Sequence, residues 1–547
     1  MRGPRSRPTS HTSAIFVMIS RHKYPTIAFG IALISPLLIA SCAAIADGEV
    51  GAVYSQAGDI GANEAVVWAR CNNQIDSRLI IELSTSAGFG GSPAGQSTAK
   101  EVQHKVERKV SADTDYTGSV VFHRLKPNQT YYYRARCVSR PGATPASELF
   151  GPVGQFTTAP DKHEAPPIKF VWVADLGGQG WGRNPDLTIT DLDDNLIQGG
   201  YVIFEVINKL APDFAIFAGD IIYADNPIPS EKTVPAEVGG GTWINEPAKD
   251  FVAITLDEYR ASWRYNLGDE KFQHFLLNTP LYIQWDDHEV TNNWYPGEML
   301  IDAPYHGIEA NVLAERSRQA LFEYNPIAGD TIHRKFRHGK HLELFLLDER
   351  SFRDPNPDNY DPSGIEMLGQ QQFEWLKQSL KRSRATWKVI STHDPLSIVT
   401  GDVTDRDAWG QGDARVLGRE VQLRELLKFI KDEGIKNVVF ITADVHFAAA
   451  ISYDPARAQF GDFEPFWEFV IGPVHAGAFG ANELDASFGP RFDYLRAPST
   501  EGFTIENLPP PNLHSFGAAE VTADGKLIMR IHDISGAVLF EKMLTPE

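Results

Sequence analysis

The stretch Leu281-Tyr-Ile-Gln-Trp-Asp-Asp-His-Glu-Val-Thr-Asn-Asn-Trp294 joins a short apolar run to a dense group of polar residues. The run from Leu281 to Ile283 predicts a buried strand. It is followed by three carboxylates and an imidazole, namely Asp286, Asp287, His288 and Glu289. Buried together, these groups would repel one another unless a cation lay among them. A solvated acidic turn would explain this stretch equally well. The choice between a cation site and such a turn therefore depends on the rest of the sequence.

The surrounding chain alternates strand-like and helix-like segments. Apolar runs that predict buried strands are Ile168–Ala174, Phe214–Ala218, Leu342–Leu347, Trp387–Ser391 and Val438–Thr442. Segments with helical periodicity are Asn195–Leu210, Leu256–Leu277, 308–324, Leu368–Ser383 and Arg419–Lys431. From about Phe466 onward the pattern favours antiparallel strands, whereas residues 226–250 and 353–364 read as loops. The alternation predicts an α/β layered core.

Each predicted strand of this core ends in residues that can bind a metal ion. In chain order they are Asp175; Asp220 and Tyr223; Asp286, Asp287 and His288; Asp348 with Arg350; His393 with Asp394; and Asp444 with His446. One aspartate after a strand is usually a turn or cap residue. Six such endings in succession are hard to obtain from turn chemistry, and their side chains are ligands of hard and borderline metals. The sequence therefore predicts a metal site at the carboxyl ends of the strands.

Residues 50 to about 158 predict a separate all-β region. Short apolar runs recur there between Gly, Pro and Asn turns, as in sandwich domains. The segment Leu125-Lys-Pro-Asn-Gln-Thr-Tyr-Tyr-Tyr133 is typical of a corner in which a tyrosine hydroxyl ties a loop to its strand. Cys71 and Cys137 each follow a strand-like run, and both a disulfide and two buried thiols are consistent with that placement.

The first 42 residues have the pattern of an export signal. Arg21, His22 and Lys23 precede an apolar run from Thr26 to Ala40, which is short for a membrane span. The final Ile39-Ala40-Ser41-Cys42 is similar to a bacterial lipobox, which favours lipidation at Cys42 over an ordinary cleaved signal with a chance cysteine. We expect Met18 to be the true start. The predicted protein is exported to the periplasm or cell envelope and anchored to the membrane through its N-terminal lipid.

Length and charge limit the classes of function. A chain of 547 residues is too long for one ordinary core and predicts two or three domains. The formal net charge of −20 argues against a nucleic-acid-binding module, which needs a basic footprint. It does not exclude a metal-filled pocket for a small anionic substrate. The sequence says nothing about oligomeric state.

Several motifs together resemble those of the PhoD-like alkaline phosphatases, within the calcineurin-like metallophosphoesterases. They are Gly219-Asp-Ile-Ile-Tyr-Ala-Asp225, Trp285-Asp-Asp-His-Glu-Val-Thr-Asn-Asn-Trp294, Leu347-Asp-Glu-Arg350, Ala385-Thr-Trp-Lys-Val389 and Asp444-Val-His446. The resemblance covers nearly the whole mature chain. It implies an α/β (α+β) four-layer metallophosphoesterase sandwich at residues 165–547. A small all-β, fibronectin-like sandwich at residues 43–160 is expected before it.

The resemblance also implies a site for two or more metal ions. Its expected ligands are Asp175, Asp220, Tyr223, Asn292 or Asn293, His393, Asp444 and His446, with Asp220 bridging. Calcium and iron follow from the family, and manganese or zinc would also suit these ligands. The first motif, Asp175-Leu-Gly177, lacks the superfamily's histidine, and no cysteine follows Cys137 to serve as an iron ligand. These departures put ferric iron in doubt.

Three residues are candidates for the chemistry. Asp287 would contact a metal or the phosphate. His288 would protonate the leaving group, or would instead orient Asp287 or Glu289. Arg350 would grip a phosphate oxygen, or would instead form a buried ion pair with Asp348 or Asp286. We expect Asp225, Glu289 and Asp394 to contact and position the ligand residues without binding the metal themselves.

The expected reaction is hydrolysis of phosphate monoesters, diesters or both by metal-activated water. A phospholipase D-type phosphodiesterase is the alternative enzyme, since the family includes such activities. A lipoprotein that binds metal and phosphate without turnover is the alternative of another class.

Overall fold

The protein is described by a computed structural model over residues 53–89, 102–142, 148–498, 508–511 and 513–547. The predicted signal segment and its Cys42 lie outside the described residues. Within those ranges, no helix is both long enough and apolar enough to cross a membrane.

The first part of the described chain is entirely β, as predicted for residues 50–158. Its strands are β1 (Val53–Gly58), β2 (Glu64–Cys71), β3 (Ser77–Ser84), β4 (His104–Val110), β5 (Thr117–His123), β6 (Thr130–Ser139) and β7 (Glu148–Thr157). The Tyr131 hydroxyl accepts a hydrogen bond from the Lys126 backbone N–H at 3.1 Å, so the expected tyrosine corner is present. Cys71 and Cys137 form a disulfide, which resolves the two alternatives left by the sequence.

The rest of the chain alternates strands and helices. Up to the opening stretch the elements are β8 (Ile168–Val173), β9 (Thr188–Thr190), β10 (Leu196–Gln198), α1 (Ile203–Leu210), β11 (Phe214–Ala218), β12 (Glu231–Thr233), β13 (Thr242–Ile244), α2 (Leu256–Leu267), α3 (Glu270–Asn278) and β14 (Leu281–Gln284). The next are β15 (Met299–Leu300), β16 (Ile308–Glu309), α4 (Ala310–Tyr324), β17 (Arg334–His338), β18 (Leu342–Leu346), α5 (Gly369–Arg382) and β19 (Trp387–Ser391).

The C-terminal third completes the sheets. Its elements are β20 (Gly401–Asp402), β21 (Asp405–Arg406), α6 (Glu420–Asp432), β22 (Val438–Thr442), β23 (Ala448–Tyr453), β24 (Phe466–Val470), β25 (Pro490–Arg496), β26 (Ser515–Val521), β27 (Leu527–Asp533) and β28 (Val538–Leu544). From β25 onward the pairings are antiparallel, as predicted. β24 differs because it pairs in parallel with β22.

Two large mixed sheets carry the described chain. One has nine strands in the order β28-β27-β26-β8-β11-β14-β1-β2-β5, and the other has seven in the order β17-β18-β19-β22-β24-β23-β25. Strands β8, β11 and β14 are parallel in the first, and β18, β19 and β22 are parallel in the second. The all-β region contributes β1, β2 and β5 to the nine-stranded sheet and forms a four-stranded sheet, β4-β3-β6-β7, with its other strands.

Strand periodicity decides which side chains enter which core. Along β8, Phe170 and Trp172 pack into one apolar cluster, whereas Val171 and Val173 pack into another. The first cluster also contains Leu344, Val389 and Ile441 of the seven-stranded sheet, so the two sheets face each other across it. Helices α1 to α4 cover the outer face of the nine-stranded sheet, and α5 and α6 cover that of the seven-stranded sheet.

Three predicted segments were wrong in part. The chain from Asn195 to Leu210 is not one helix, because β10 pairs with β9 as a hairpin that ends at Gly199 and Gly200, both with positive φ. The predicted helix from Leu256 to Leu277 is two helices, since the Asp269 carboxylate caps a new one by accepting from the Phe272 N–H. The predicted loop 226–250 contains the hairpin β12–β13.

Candidate metal centre

The carboxyl ends of the parallel strands from both sheets meet at one edge of the molecule. Asp175 follows β8, Asp220 follows β11 and Asp287 follows β14, while Asp444 and His446 follow β22. Ligand atoms of Asp175, Asp220 and His446 all lie within 4.8 Å of one another, and so do those of Asp220, Asp287 and His288. The structure therefore gathers residues that the sequence predicted together but that lie far apart in the chain.

The first of these groups is buried and includes a phenol. The Tyr223 hydroxyl lies 2.8 Å from Nε2 of His446, and the same nitrogen lies 3.8 Å from Oδ1 of Asp175. Nδ1 of His446 donates to the Gly477 carbonyl, which leaves Nε2 with its lone pair toward the group. Burial lowers the pKa of His446 to about 3, so its imidazole is neutral and suited to bind a metal.

The carboxylates of this group lack the partners that buried charges need. Both oxygens of Asp175 and Oδ2 of Asp220 are buried without a hydrogen-bond partner among the described residues. Burial, followed by the charges of neighbouring carboxylates, raises the pKa of each well above its ordinary value. Orphaned buried carboxylate oxygens are costly unless a cation binds them. The unpartnered oxygens of Asp175 and Asp220 therefore suit a metal ion, and this evidence does not depend on any sequence motif.

A second group adjoins the first through Asp220. The Asp287 carboxylate accepts backbone N–H bonds from His288 at 2.8 Å and from Asn293 at 2.6 Å. Asp286, Asp287 and Asp444 also offer ligand atoms within 4.8 Å of one another. Asp220 thus stands between two sets of ligands, as a bridging residue would.

Unusual backbone geometry marks the same residues. Asp175, Asp220, Asn293, Asp444 and His446 all have positive φ, between 53° and 68°. Such conformations are uncommon outside glycine and concentrate at functional sites. At Gly472, φ is 134° and a Cβ would collide with the Asp175 carboxylate, so only glycine allows this loop to close over the site.

Glu289 holds the backbone on which these ligands stand. Its carboxylate accepts from the N–H groups of Asp220, Ile221, Ile222 and Asp286 at distances of 2.7 to 3.1 Å. It thereby ties the end of β11 to the end of β14.

The His288 ring is hydrogen-bonded to a carboxylate that the orienting alternative did not name, and the expected acid role stays a prediction. Its Nδ1 lies 2.8 Å from Asp225 rather than from Asp287 or Glu289, and its ring packs 4.3 Å from that of Tyr223. Burial alone would lower the pKa of His288, but the Asp225 and Asp287 carboxylates outweigh it and raise the pKa to about 10. The imidazole lines the cavity with a proton to give.

Arg350 is fully buried and does not line the cavity. It donates to Asp286 at 2.6 Å, to both oxygens of Asp407 at 2.8 Å and to Asp394 at 3.3 Å. The geometry favours the ion-pair interpretation over a grip on phosphate. Of the two expected partners, Asp286 is paired with Arg350, whereas Asp348 accepts instead from Trp285 and Ser351.

His393 lies in this arginine network, away from Asp220. Its Nδ1 lies 2.9 Å from Asp286, and its Nε2 accepts from the Glu349 N–H at 3.2 Å. The residues whose ligand atoms cluster with those of His393 within 4.8 Å are Asp286 and Asp394. His393 shares no such cluster with the other predicted aspartate and histidine ligands, which are Asp175, Asp220, Asp444 and His446.

The sequence missed two members of the network. Asp407 and Arg353 are buried, and Arg353 donates to Asp407 at 2.8 Å. Neither follows a predicted strand, so no positional signal pointed to them. Gln179 was also missed. It lines the cavity and accepts from the Gly477 N–H, next to the carbonyl that fixes His446.

An open cavity of about 1010 Å³ lies over the two ligand groups. Predicted site residues on its wall are Asp287, His288, Asn292, Asn293, Asp444 and His446. The Asn292 side chain is exposed at the rim, and Asn293 is half-buried. Val399, Val445 and Phe479 add an apolar part to the wall, so the cavity can receive a substrate with both an anionic and an apolar portion.

Comparison with known proteins assigns the family. The model of the PhoD-like phosphatase family matches residues 171–525, and that of the PhoD-like phosphatase N-terminal domain matches residues 53–160. The chain belongs to the PhoD-like phosphatase family. One curated member similar to it is alkaline phosphatase D of Bacillus subtilis (strain 168), which is 25% identical over 386 residues. That match covers 66% of this chain and 58% of the relative.

Solved structures agree with this PhoD-like fold. A structure of PhoD matches with a TM-score of 0.64 and 18% identity over 90% of this chain and 88% of its own. The purple acid phosphatase PPD1 from yellow lupin (Lupinus luteus) seeds matches with a TM-score of 0.51 and 12% identity, over 90% of this chain and 74% of its own. Both likenesses show a shared fold built on mixed α/β sheets.

Proposed function

We propose that this PhoD-like protein hydrolyses phosphoric esters with the help of at least two metal ions. The single observation that carries the proposal is the set of buried, unpartnered carboxylate oxygens on Asp175 and Asp220. Multivalent cations would stabilise acidic groups in that state. A cavity large enough for an organic phosphate ester is lined by His446 and Asp287, whose ligand atoms lie within 4.8 Å of those of Asp220.

The ligands divide into two sets that share Asp220. Asp175, Asp220, Tyr223 and His446 would hold one ion. Asp220, Asp287, Asp444 and Asn292 or Asn293 would hold the other. His446 supplies an imidazole beside Asp175, and this offsets the histidine missing from Asp175-Leu-Gly177. His393 is better explained as a residue that positions Asp286.

The donor atoms present bear on which metals the two sets of ligands would hold. Carboxylate and amide oxygens suit calcium or manganese, and the imidazole and phenol of the first set suit iron or zinc. Cys71 and Cys137 are joined in a disulfide and offer no thiolate. We propose calcium and iron, with Tyr223 and His446 serving in place of a cysteine.

Each cavity residue has a distinct part in the proposed reaction. Bound cations would supply Lewis acidity toward the phosphate and an activated water. His288, protonated and held by Asp225, would donate its proton to the leaving oxygen. Asp287 is held rigidly by its two backbone N–H donors and would fix the place where the phosphate binds. Arg350 and Glu289 would not touch the substrate. Arg350 would position Asp286, and Glu289 would position the backbone of Asp220.

The experiment that tests the proposal compares rates on an aryl phosphate monoester and a bis-aryl diester. We expect turnover of at least one by the wild type, loss of both in Asp220→Ala, and unchanged rates in a control at exposed Asp330, Asp330→Ala. A folded Asp220→Ala variant that keeps its rates would refute the assignment. The apolar wall residues Val399, Val445 and Phe479 support the phospholipase D-type alternative as a second candidate, and turnover of a phospholipid by the wild type would indicate it. Bound phosphate without turnover would indicate the non-catalytic alternative.

The finer description of the fold is also a proposal. We infer that the core at residues 165–547 is the four-layer metallophosphoesterase sandwich and that residues 43–160 are a fibronectin-like domain. The two facing sheets with helices outside support the first inference, and the tyrosine corner supports the second. That β1, β2 and β5 extend the nine-stranded sheet indicates a firm junction between the domains.

Location and partners rest on the sequence of the first 42 residues. We propose an exported protein of the periplasm or cell envelope, anchored in the membrane by lipid on Cys42. Its substrate is a small anionic phosphoester. The Cys71–Cys137 disulfide supports export, because such bonds persist in oxidising compartments.

A further inference from the structure

A second cleft of about 620 Å³ is lined mainly by cationic side chains. We refer to it as the basic cleft, and its basic residues are Lys162, His163, Arg337, Lys340, Arg382 and Arg384. Glu343 is the one acidic residue among the described lining residues, and it already accepts from Ser383 and pairs with Lys335 and Arg337. A positive cleft on a chain of net charge −20 is a local exception to the charge of the whole protein.

Four of the cations in this cleft are available for a ligand. Lys162, Lys340, Arg382 and Arg384 are exposed, and no described carboxylate lies within ion-pair distance of any of them. Neighbouring Lys381 differs, since it is paired with Glu433 at 2.8 Å. Free, exposed cations held close together repel one another and gain from an anionic partner.

The basic cleft lies at the end of the molecule opposite the metal centre. Arg337 lies near the end of β17 and Lys340 in the turn that leads into β18, while Arg382 ends α5 and Arg384 precedes β19. These are the amino ends of parallel strands whose carboxyl ends carry the ligands. The linker residue Glu164 is fixed there too, because its carbonyl accepts from the Lys340 N–H.

The described chain begins at this same end. Strand β1 runs parallel to β14 with Gly58 opposite Leu281, the first residue of β14. Val53 therefore lies beyond the amino end of β14, on the side away from the metal centre. Cys42 precedes Val53 by eleven residues, a length that reaches at most about 40 Å. A lipid on Cys42 would keep the amino ends of the strands close to the membrane.

We propose that the basic cleft is a docking surface for the anionic phospholipid headgroups of the membrane that holds the N-terminal tether. Docking there turns the cavity over the metal centre away from the bilayer, toward soluble or polymeric substrates. The proposal rests on the proposed lipid anchor for its setting, but the electrostatic contact itself does not depend on catalysis. Each cation near an anionic surface strengthens binding about fivefold.

The test uses the unlipidated mature chain, residues 42–547 with Cys42→Ser, and sedimentation with vesicles. Vesicles contain phosphatidylcholine alone or equal parts of phosphatidylglycerol and phosphatidylcholine. The triple variant Lys340→Gln/Arg382→Gln/Arg384→Gln is compared with Arg108→Gln/Arg415→Gln/Arg491→Gln, which removes the same charge from exposed sites elsewhere. We expect salt-sensitive binding to the anionic vesicles only, an affinity lowered about a hundredfold in the cleft variant and changed less than about twofold in the control.

Equal binding by the cleft variant and the wild type would overturn the proposal, as would equal binding to neutral vesicles. Binding to soluble polyphosphate but not to vesicles would assign the cleft to a phosphate polymer instead. All variants should hydrolyse an aryl phosphate at the wild-type rate, so a failure of docking and a failure of the proposed hydrolysis remain distinguishable. If the triple variant does not fold, Lys340→Gln alone should lower the affinity about fivefold.

Discussion

The phenol oxygen of Tyr223 lies 2.8 Å from Nε2 of His446, although the two residues are 223 positions apart in the chain. Tyr223 comes from the loop after β11 in one sheet and His446 from the loop after β22 in the other. Their contact shows that the candidate metal centre is assembled across the interface of the two sheets. The consequences of this arrangement can be tested residue by residue.

Replacing Tyr223 tests the first ligand set. Tyr223→Phe keeps the buried ring and removes only the oxygen, so the fold should be preserved. We expect metal affinity to fall by about tenfold or more, measured as metal retained after dialysis against a graded chelator. Tyr305→Phe is the matched control, since its hydroxyl donates to Thr291 at the side of the site. Equal metal retention by Tyr223→Phe and the wild type would remove Tyr223 from the ligands.

Glu289 should matter for stability through the backbone that it holds. Glu289→Gln removes the charge and places an N–H₂ group against backbone donors, so at least one of the four hydrogen bonds becomes a repulsive contact. We expect the free energy of unfolding in urea to fall by about 2 kcal/mol or more. The exposed Glu309→Gln should change it by less than about 0.5 kcal/mol. If the two variants were equally stable, Glu289 would not organise the site.

Replacing Arg350 distinguishes a structural role for this residue from a contact with the substrate. Arg350→Met leaves Asp286, Asp394 and Asp407 buried without their shared cation, and we expect a loss of about 3–5 kcal/mol in unfolding free energy. The exposed Arg108→Met should be nearly neutral. A variant of Arg350 with normal stability and a raised KM for the phosphate ester would instead support the grip on phosphate.

His338, which lies away from the metal centre, should make the stability of the protein depend on pH. It is buried beside Tyr282, and burial lowers its pKa from 6.5 to about 3. The unfolded chain takes up a proton near pH 6.5 and the folded chain does not, so this contribution is complete above pH 6.5 and is lost as the pH falls toward 3. His338→Gln should flatten the stability profile of the wild type in that window. Parallel profiles, with exposed His274→Gln as reference, would argue against a buried neutral His338.

The strand ends were predictable because they follow from local pattern. Apolar runs such as Phe214–Ala218 and Val438–Thr442 are strands, and the acidic residues after them do converge. Predictions from local pattern failed where one or two residues determine where a helix or strand begins or ends. Gly199 and Gly200 end a hairpin inside an apparent helix, and Asp269 caps a second helix inside an apparently continuous one. A periodicity averaged over many residues does not register such points.

Long-range pairing was beyond the sequence. Nothing in the pattern around Asp407 indicates that it meets Arg350, 57 positions earlier, and the place of His393 in that network depends on the same contact. The pairing of β1 with β14 across more than two hundred residues is likewise a property of the folded sheets. Motif position singled out Arg350 and His393, but only their contacts in the folded chain distinguish a possible ligand from a residue that positions one.

The measurement that tests the central claim most directly is the metal content of the purified mature protein, determined by elemental analysis beside the same analysis of Asp220→Asn. Asp220 stands between both ligand sets, so the account predicts at least two multivalent ions per wild-type chain and a loss of both in the folded variant. A wild-type chain without stoichiometric metal, or an Asp220→Asn chain with the full complement, would contradict it.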